Sequence, residues 1–530
     1  MFPEMNNDRK GVIMERFILK YPEKDISTRE KCDTTLSDIK MGPFAFVIFG
    51  GAGDYTKRML MPSLYHLFHD GALPQDFSII GFGLPEMSDE QYRDYIRASL
   101  EVFSRIPVED EVWETYGSRI SYIPADFSNT HAYQRLLEKI QDTCELNAEQ
   151  KREVIYYFAV PPASAKLIIA NLKENRLCEG SIEPKMVMEK PFGSDRASAA
   201  QLNSTILEVF DEHQIYRVDH YLGKETVQNI MFFRFANSIF EPLWNRRYID
   251  HIEISVAEQL GIEHRGAFYE ETGVVRDIVQ NHMMQLIALV AMEPPVGFDA
   301  DLIRDEKVKI FRTIRKMDEA YINDNTVWGQ YGPGEIDGQS VVGYRQEEGV
   351  AQDSNMPTFF AAKLYIDNWR WAGVPFYIRT GKRLKKRASA ISIFFKQPPL
   401  KLFGKTCDIM RPNSLRFGIQ PHEEIALCIS VKYPGIGNQP YNVTMGFDYE
   451  KTFEFERHTP HERLILDCLR GDLTLFARQD GVEAMWSIVD PIIARGDKIL
   501  PAFPNYPAGN WGPPEADALM ARDGCSWSGL

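Results

Sequence analysis

Residues 44–68 read FAFVIFGGAGDYTKRMLMPSLYHLF, and this stretch decides the fold. Phe44 to Phe49 is an unbroken apolar run, as expected of a strand covered on both faces. Gly50-Gly51-Ala52-Gly53 follows, and then Met59, Leu60, Leu64, Leu67 and Phe68 recur at helical spacing. A second apolar run, Phe77 to Ile80, comes after Pro74. Strand, glycine turn, helix and strand in this order form the first unit of a doubly wound parallel sheet. Gly50 lets the chain turn tightly, and Gly53 carries no Cβ to block a pyrophosphate. The helix N-terminus that follows directs amide donors and a partial positive charge at such an anion. Taken alone, a GxxG turn after a strand is equally compatible with a plain tight turn.

The alternation continues outward. Val154 to Val160 is a strand closed by Pro161-Pro162, Lys185 to Met188 is another, and Tyr216 to Asp219 is a last short one. The pattern then changes. Lys224 to Phe235 and Val274 to Leu289 are helical, and Ile252, Ile254 and Val256 alternate with polar residues as in a half-exposed strand. Further strands are expected at 358–366, 390–395, 425–431 and 443–447. The expected fold is a Rossmann-like α/β dinucleotide-binding domain over 44–218. It is followed by an α+β domain over 219–530 with a large, mostly antiparallel sheet. Residues 1–43 are charged and without period, and read as an N-terminal extension.

Length supports two domains, because single cores stop growing near about 250–300 residues and this chain has 530. The apolar share of 44% is enough for large cores and excludes global disorder. A formal charge of −15 disfavours nucleic acid and anionic membranes, so any anionic ligand needs a local cluster of cations. The 7 cysteines, at 32, 144, 178, 407, 428, 468 and 525, are odd in number and lack CxxC spacing. They read as free thiols in a reducing compartment, without a metal or redox motif. No window approaches a membrane span, and the N-terminus resembles neither a secretory signal nor a transit peptide, so a cytoplasmic location is expected.

Asp219-His220-Tyr221-Leu222-Gly223-Lys224 concentrates His, Tyr and Lys donors just past a strand end. Lys supplies charge and the ring donors supply direction, a combination suited to a phosphate; the plainer reading is a solvated polar turn. His282 lies on a half-apolar helix after Arg276-Asp277. Oxidising an alcohol requires a base for the hydroxyl proton, and a carboxylate such as Asp219 would fix its tautomer. Lys57 and Lys190 each follow an expected strand end, on the edge where ligands bind in this architecture. KRLKKR, 382–387, is the densest basic patch, and its middle residues read as a solvated turn.

Together these segments resemble the glucose-6-phosphate dehydrogenase family. GGAGDYTKR (50–58) matches that family's G-[AG]-[ST]-G-D-L-A-K-[KR] turn imperfectly, and MEKPFG (188–193) matches closely. VDHYLGKETVQN (218–229) is nearly the family signature, followed in register by RFAN and PLWNR. RGAFYEETGVVRDIVQNHMMQ (265–285), VPFYIRTGKRL (374–384), HERLILDCLRGD (461–472) and WGPPEA (511–516) extend the match over roughly 44–515.

The resemblance implies oxidation of glucose 6-phosphate at C1 to 6-phosphogluconolactone, the first step of the oxidative pentose phosphate pathway, with no metal. His282 would be the general base and Asp219 its carboxylate partner. His220, Tyr221 and Lys224 would bind the 6-phosphate, and Glu258 and Asp277 the sugar hydroxyls. Lys190, Lys382 and Arg387 would line the same pocket. Gly50, Gly51, Gly53, Asp54, Lys57, Leu84 and Lys190 would serve the cofactor, with Lys57 helping to position both ligands. The resemblance also implies a homodimer or homotetramer and a cis peptide before Pro191. It implies NADP, yet Ala52 and Leu84 stand where the family's 2′-phosphate partners are usually found. Glu86, two residues on, would accept from a free ribose hydroxyl, which makes NAD an alternative; Arg58 is the nearby compensating cation. The competing reading is a non-catalytic sugar-phosphate or dinucleotide sensor, which would be expected to lose the base or a phosphate ligand first.

Overall fold

A computed structural model of the chain describes residues 41–142, 151–400, 402, 411–453 and 458–529. Nearly all of the expected extension 1–43 therefore lies outside the described residues. Six strands build a first sheet: β1 (Phe44–Phe49), β2 (Phe77–Gly83), β3 (Ile120–Pro124), β4 (Arg152–Phe158), β5 (Ile182–Met188) and β6 (Ile215–Arg217). Their order is β3-β2-β1-β4-β5-β6, and every pair is parallel. β1 is buried at all positions, as its unbroken apolar run demands. β3 escapes the sequence pattern because ISYIP is short and interrupted by Ser121; pairing with β2 supplies what periodicity does not.

The chain leaves β1 toward β2 and β3, then returns to β4 on its other side. In open α/β sheets ligands bind at this switch point, beyond the carboxyl ends of the strands. The glycine turn lies there, and its constraints come mostly from protein rather than ligand. Gly50 has φ +90°, and a Cβ on it would lie 2.4 Å from the Ala159 carbonyl oxygen at the end of β4. A Cβ on Gly51 would lie 2.7 Å from Gly81 Cα in β2. Gly53 is different, since only the Gly50 carbonyl lies within 4 Å of its Cβ position. Tyr92 and Tyr95 brace the turn by donating to the Gly51 and Ala52 carbonyls.

The second sheet has eight strands: β7 (Ile249–Ala257), β8 (Thr326–Gly329), β9 (Phe359–Tyr365), β10 (Pro375–Gly381), β11 (Ala388–Phe395), β12 (Ser414–Gln420), β13 (Glu424–Lys432) and β14 (Pro440–Asp448). Their order is β14-β13-β12-β11-β7-β10-β9-β8. All pairs are antiparallel except β7 with β10. The half-exposed reading of β7 requires correction. The strand is central, and its polar residues His251, Glu253 and Ser255 are buried along with Ile252, Ile254 and Val256. Glu253 accepts from the Ser528 amide and hydroxyl, and Arg379 donates to Ser255 while lying over Trp527. The C-terminal segment covers this face, a contact that alternation along β7 cannot reveal.

The helix expected over 274–289 is composite. Gly266–Val274 and Met284–Ala291 are α-helical, and Val275–Met283 between them is a π-helix. Gly273, at φ 63°, interrupts the first of these. The middle of the basic patch also differs from a solvated turn: Lys385 and Lys386 are exposed, but Leu384 is buried and Arg383 pairs with Glu347. No helix among the described residues is long and apolar enough to cross a membrane.

Gly51→Ala tests the packed turn. The added methyl meets backbone of β2 that cannot retreat, and overpacking of this kind costs about 1–3 kcal/mol. A clearly lowered thermal midpoint is expected; an unchanged one would show that the turn has slack.

Candidate active site

Strand ends deliver the site from two directions. From the first sheet, β4 leads to Ala159 and Pro161, β5 to Glu189-Lys190 and β6 to Asp219 and His220. From the second, β7 ends at Glu258, and its parallel neighbour β10 ends in register at Lys382. β11 and β12 are antiparallel to these in turn, so Arg387 at the start of β11 and Gln420 at the end of β12 reach the same edge. The π-helix adds Asp277 and His282, five positions apart. In an α-helix that spacing turns side chains roughly 140° apart. The wider π winding brings residues i and i+5 onto one face. Except for Asp219, which is buried behind His282, these groups line one cleft of about 820 Å³, together with Tyr221 and Lys224.

At the centre His282 is buried between opposite charges. Its Nδ1 lies 2.5 Å from Asp219 Oδ1, and its Nε2 lies 3.0 Å from Lys190 Nζ. An ammonium donates only and a carboxylate accepts only, so the imidazole that satisfies both is neutral, with its proton on Nδ1 and its lone pair on Nε2. Burial pushes the His282 imidazole down, Asp219 works against that, and Lys190 adds to it; the net direction is below the ordinary 6.5. Burial alone would raise the Asp219 carboxyl, but His282, the Tyr221 amide and Lys190 hold it below the usual carboxylate range. Tyr221 stacks on His282 with ring centroids 4.4 Å apart and fixes the plane of the imidazole.

Two further groups surround this pair. Lys382 Nζ lies 2.6 Å from Glu258 and 3.3 Å from Asp277, and Lys190 Nζ lies 3.2 Å from Asp277. Burial would raise Asp277, yet Lys190 and Lys382 hold it well below its ordinary value, a carboxylate fixed as acceptor. At the other end, Lys224 and Arg387 both donate to Gln420 Oε1, at 3.1 and 3.2 Å. Burial and the facing Arg387 push Lys224 down, and burial with His282, Lys190, His461 and Lys224 pushes His220 well down. Lys224 and Arg387 repel each other, and Glu423 offsets this at Lys224.

The structure thus gathers His282, Asp219, His220, Tyr221, Lys224, Glu258, Asp277, Lys190, Lys382 and Arg387 around one cleft. Tyr221 turns its hydroxyl to Ser389 Oγ, at 3.2 Å. The cofactor candidates Gly50, Gly51, Gly53, Asp54, Lys57 and Leu84 lie instead at the carboxyl ends of β1 and β2. There Asp54 pairs with both Lys57 and Arg58, and Leu84 is exposed. Sequence reasoning missed Gln420, which orients the two cations. It also missed His461, whose ring lies nearly parallel to that of His220 at 6.1 Å, and Tyr55, whose hydroxyl donates to half-buried Glu189 at 2.5 Å. His461 sits within HERLILDCLRGD, so its signal was present; Gln420 has none, being placed only by sheet register. The Lys190–Pro191 peptide is cis.

Two family models divide the chain: the glucose-6-phosphate dehydrogenase NAD binding domain matches residues 47–229, and its C-terminal domain matches residues 231–528. The chain is 44% identical to the glucose-6-phosphate 1-dehydrogenase of Chlamydia pneumoniae, covering 92% of this chain and 96% of that one. It is 42% identical to that of Bacillus subtilis, covering 91% and 97%. Among solved structures, a glucose-6-phosphate dehydrogenase in complex with its substrate glucose-6-phosphate superposes with a TM-score of 0.84 at 30% identity, covering 92% of this chain and 100% of that one. The Mycobacterium avium enzyme gives 0.78 at 34%, covering 92% and 99%.

The charge arrangement around His282 predicts its titration. Histidine-labelled NMR of the ligand-free protein is expected to show a neutral Nδ1–H form at neutral pH that protonates only below 6.5. Lys190→Gln removes a cation from Nε2 and is expected to move that midpoint upward. A midpoint above 6.5 in the parent would contradict the assigned tautomer.

Proposed function

This chain belongs to the glucose-6-phosphate dehydrogenase family, and from that premise we propose that it oxidises D-glucose 6-phosphate at C1 to 6-phosphogluconolactone. The observation that carries the reading is a buried neutral imidazole with an available lone pair, in the same cleft as Lys224 and Arg387, which converge on Gln420. The 6-phosphate fits among Lys224, Arg387 and His220, where a dianion relieves the mutual repulsion of the cations. Asp277, Glu258 and Lys382 then face the sugar hydroxyls as acceptors and donor. The C1 hydroxyl replaces Lys190 at His282 Nε2 and passes its proton there, while Lys190 stays on Asp277. Asp219 stabilises the imidazolium that forms. A bound nicotinamide dinucleotide supplies the hydride acceptor. The ring proton on Nδ1 stays in place, and His282 later returns the added proton to solvent.

The glycine turn at the switch point suits such a dinucleotide, because the helix beginning at Asp54 directs its amides outward there and Gly53 leaves the approach free. Gly50, Gly51, Gly53, Asp54, Lys57 and Lys190 would hold it. The same region supports a weakened preference for NADP over NAD. Leu84 supplies no cation for a 2′-phosphate, and Ala52 no hydroxyl. Arg58 is engaged with Asp54 at 2.8 Å and lies over Phe103. A cytoplasmic homo-oligomer completes the proposal; exposed Val431, Tyr441 and Met445 on β13 and β14 offer an apolar face for a second copy. No observation favours the non-catalytic sensor, since base and cation cluster are both intact.

Glucose 6-phosphate with either dinucleotide should produce reduced-nicotinamide absorbance; its absence with both would end the proposal. His282→Asn should lower kcat by about 10²–10⁴-fold with KM for glucose 6-phosphate nearly unchanged. Near-normal turnover would remove His282 from the role of base. Lys224→Ala should raise KM for glucose 6-phosphate strongly while leaving any use of free glucose unaffected, and equal losses would mean that Lys224 is not a phosphate ligand. For the cofactor, comparable kcat/KM with NAD and NADP is expected, shifted toward NADP in Leu84→Arg. A parent that prefers NADP by about a hundredfold, a gap of about 2.8 kcal/mol, would rule the weakened preference out.

A further inference from the structure

Far from the cleft, on the opposite side of the second sheet, a β-bulge gathers three unlike metal ligands. Along β7 and β11 the register pairs His251 with Phe394 and Ile249 with Phe395, so Asp250 is an extra residue with no partner. Neighbouring residues of a regular strand point to opposite faces, whereas a bulge re-aims one of them. Here it brings the Asp250 carboxylate to the His251 side, with Oδ2 at 2.8 Å from Nδ1. Cys525, from the C-terminal segment, places Sγ 3.7 Å from the same nitrogen. The three donor atoms all lie within 4.8 Å of one another. A cavity of about 630 Å³ opens beside them, with Asp250 and Cys525 in its wall.

We propose that Asp250, His251 and Cys525 bind a divalent cation of the zinc class, with water from the cavity as fourth ligand, and thereby tie the C-terminal segment to the central strand of the sheet. A tetrahedral zinc ion with metal–nitrogen and metal–sulfur bonds near 2.0 and 2.3 Å requires nitrogen and sulfur about 3.5 Å apart. The observed 3.7 Å already fits. The carboxylate oxygen has to withdraw by about half an ångström, and Asp250 is half-exposed and free to do so.

The surroundings suit a ligating imidazole. The His251 ring is clamped against Phe394, with centroids 4.4 Å apart and planes 11° apart. Its Nε2 faces Glu253 Oε1 at 3.5 Å, and neither buried atom has a hydrogen-bond partner. A metal on Nδ1 leaves the proton on Nε2, directed at that carboxylate, which is the usual support for a ligating histidine. The Cys525 thiol gives its proton to solvent as the metal–sulfur bond forms. Lys363 and Lys396, which also line the cavity, are held by Asp523 and by the Arg246 carbonyl.

The test uses the full chain, reduced with a phosphine and stripped with a chelator, then titrated with Co(II) alone. A stoichiometric thiolate-to-cobalt absorption band with tetrahedral ligand-field bands is expected, displaced by Zn(II). Cys525→Ser should abolish the band although six other cysteines remain. Asp250→Asn, at an exposed position that folding does not need, should weaken cobalt binding by about tenfold or more. Zn(II) should raise the thermal midpoint of the parent and leave that of Cys525→Ser unchanged. Absence of a stoichiometric band, or its persistence in Cys525→Ser, would overturn the site and leave an imidazolium held between two carboxylates.

Discussion

Everything in the cleft depends on one constraint: a buried imidazole must remain uncharged yet keep a lone pair. His282 meets it by standing between a carboxylate on Nδ1 and an ammonium on Nε2. The carboxylate alone would favour a buried imidazolium, which cannot accept a proton. The ammonium alone would leave the developing charge of the reaction unsupported. With both, the ring is neutral at rest and keeps a lone pair, the state that the proposed role as general base needs. Asp277 extends the arrangement, since it holds Lys190 and Lys382 together and spreads the balance of charge over five side chains.

The sheets are arranged to make this possible. A parallel sheet places all its carboxyl ends on one edge, and the β1–β4 crossover opens a crevice there. The second sheet reaches the same crevice through its single parallel pair, because parallel neighbours end together whereas antiparallel neighbours would put Glu258 and Lys382 at opposite edges. The π-helix supplies the last element, since five-residue spacing aligns only where the helix is wound wider than α.

The opposite face of the second sheet shows how irregularity creates sites. Glu253 would be costly if buried alone. One of its oxygens, Oε2, accepts from the amide and hydroxyl of Ser528, and this contact draws the C-terminal segment and Cys525 across the strand. A bulge at Asp250 then converts strand geometry into convergent ligands. Neither feature shortens the core, where β7 keeps Ile252, Ile254 and Val256 fully buried.

The sequence by itself determined the doubly wound half, because strands buried on both faces must be unbroken apolar runs and a glycine turn follows the first of them. It also named most of the side chains that meet in the cleft, because Asp219-His220-Tyr221 and Arg276-Asp277 followed by His282 lie in short, ordered segments that match a known family. It did not announce β3, β10 or β12, whose mixed residues become strands through pairing, nor the burial of the polar face of β7. Only the tertiary structure decided that Asp219 meets His282, that Gln420 orients Lys224 and Arg387, that His461 faces His220, and that Cys525 meets His251. These contacts join residues 33 to 274 positions apart. They are set by strand register, by helix winding and by which segment covers which face, and none of these leaves a local period in the chain.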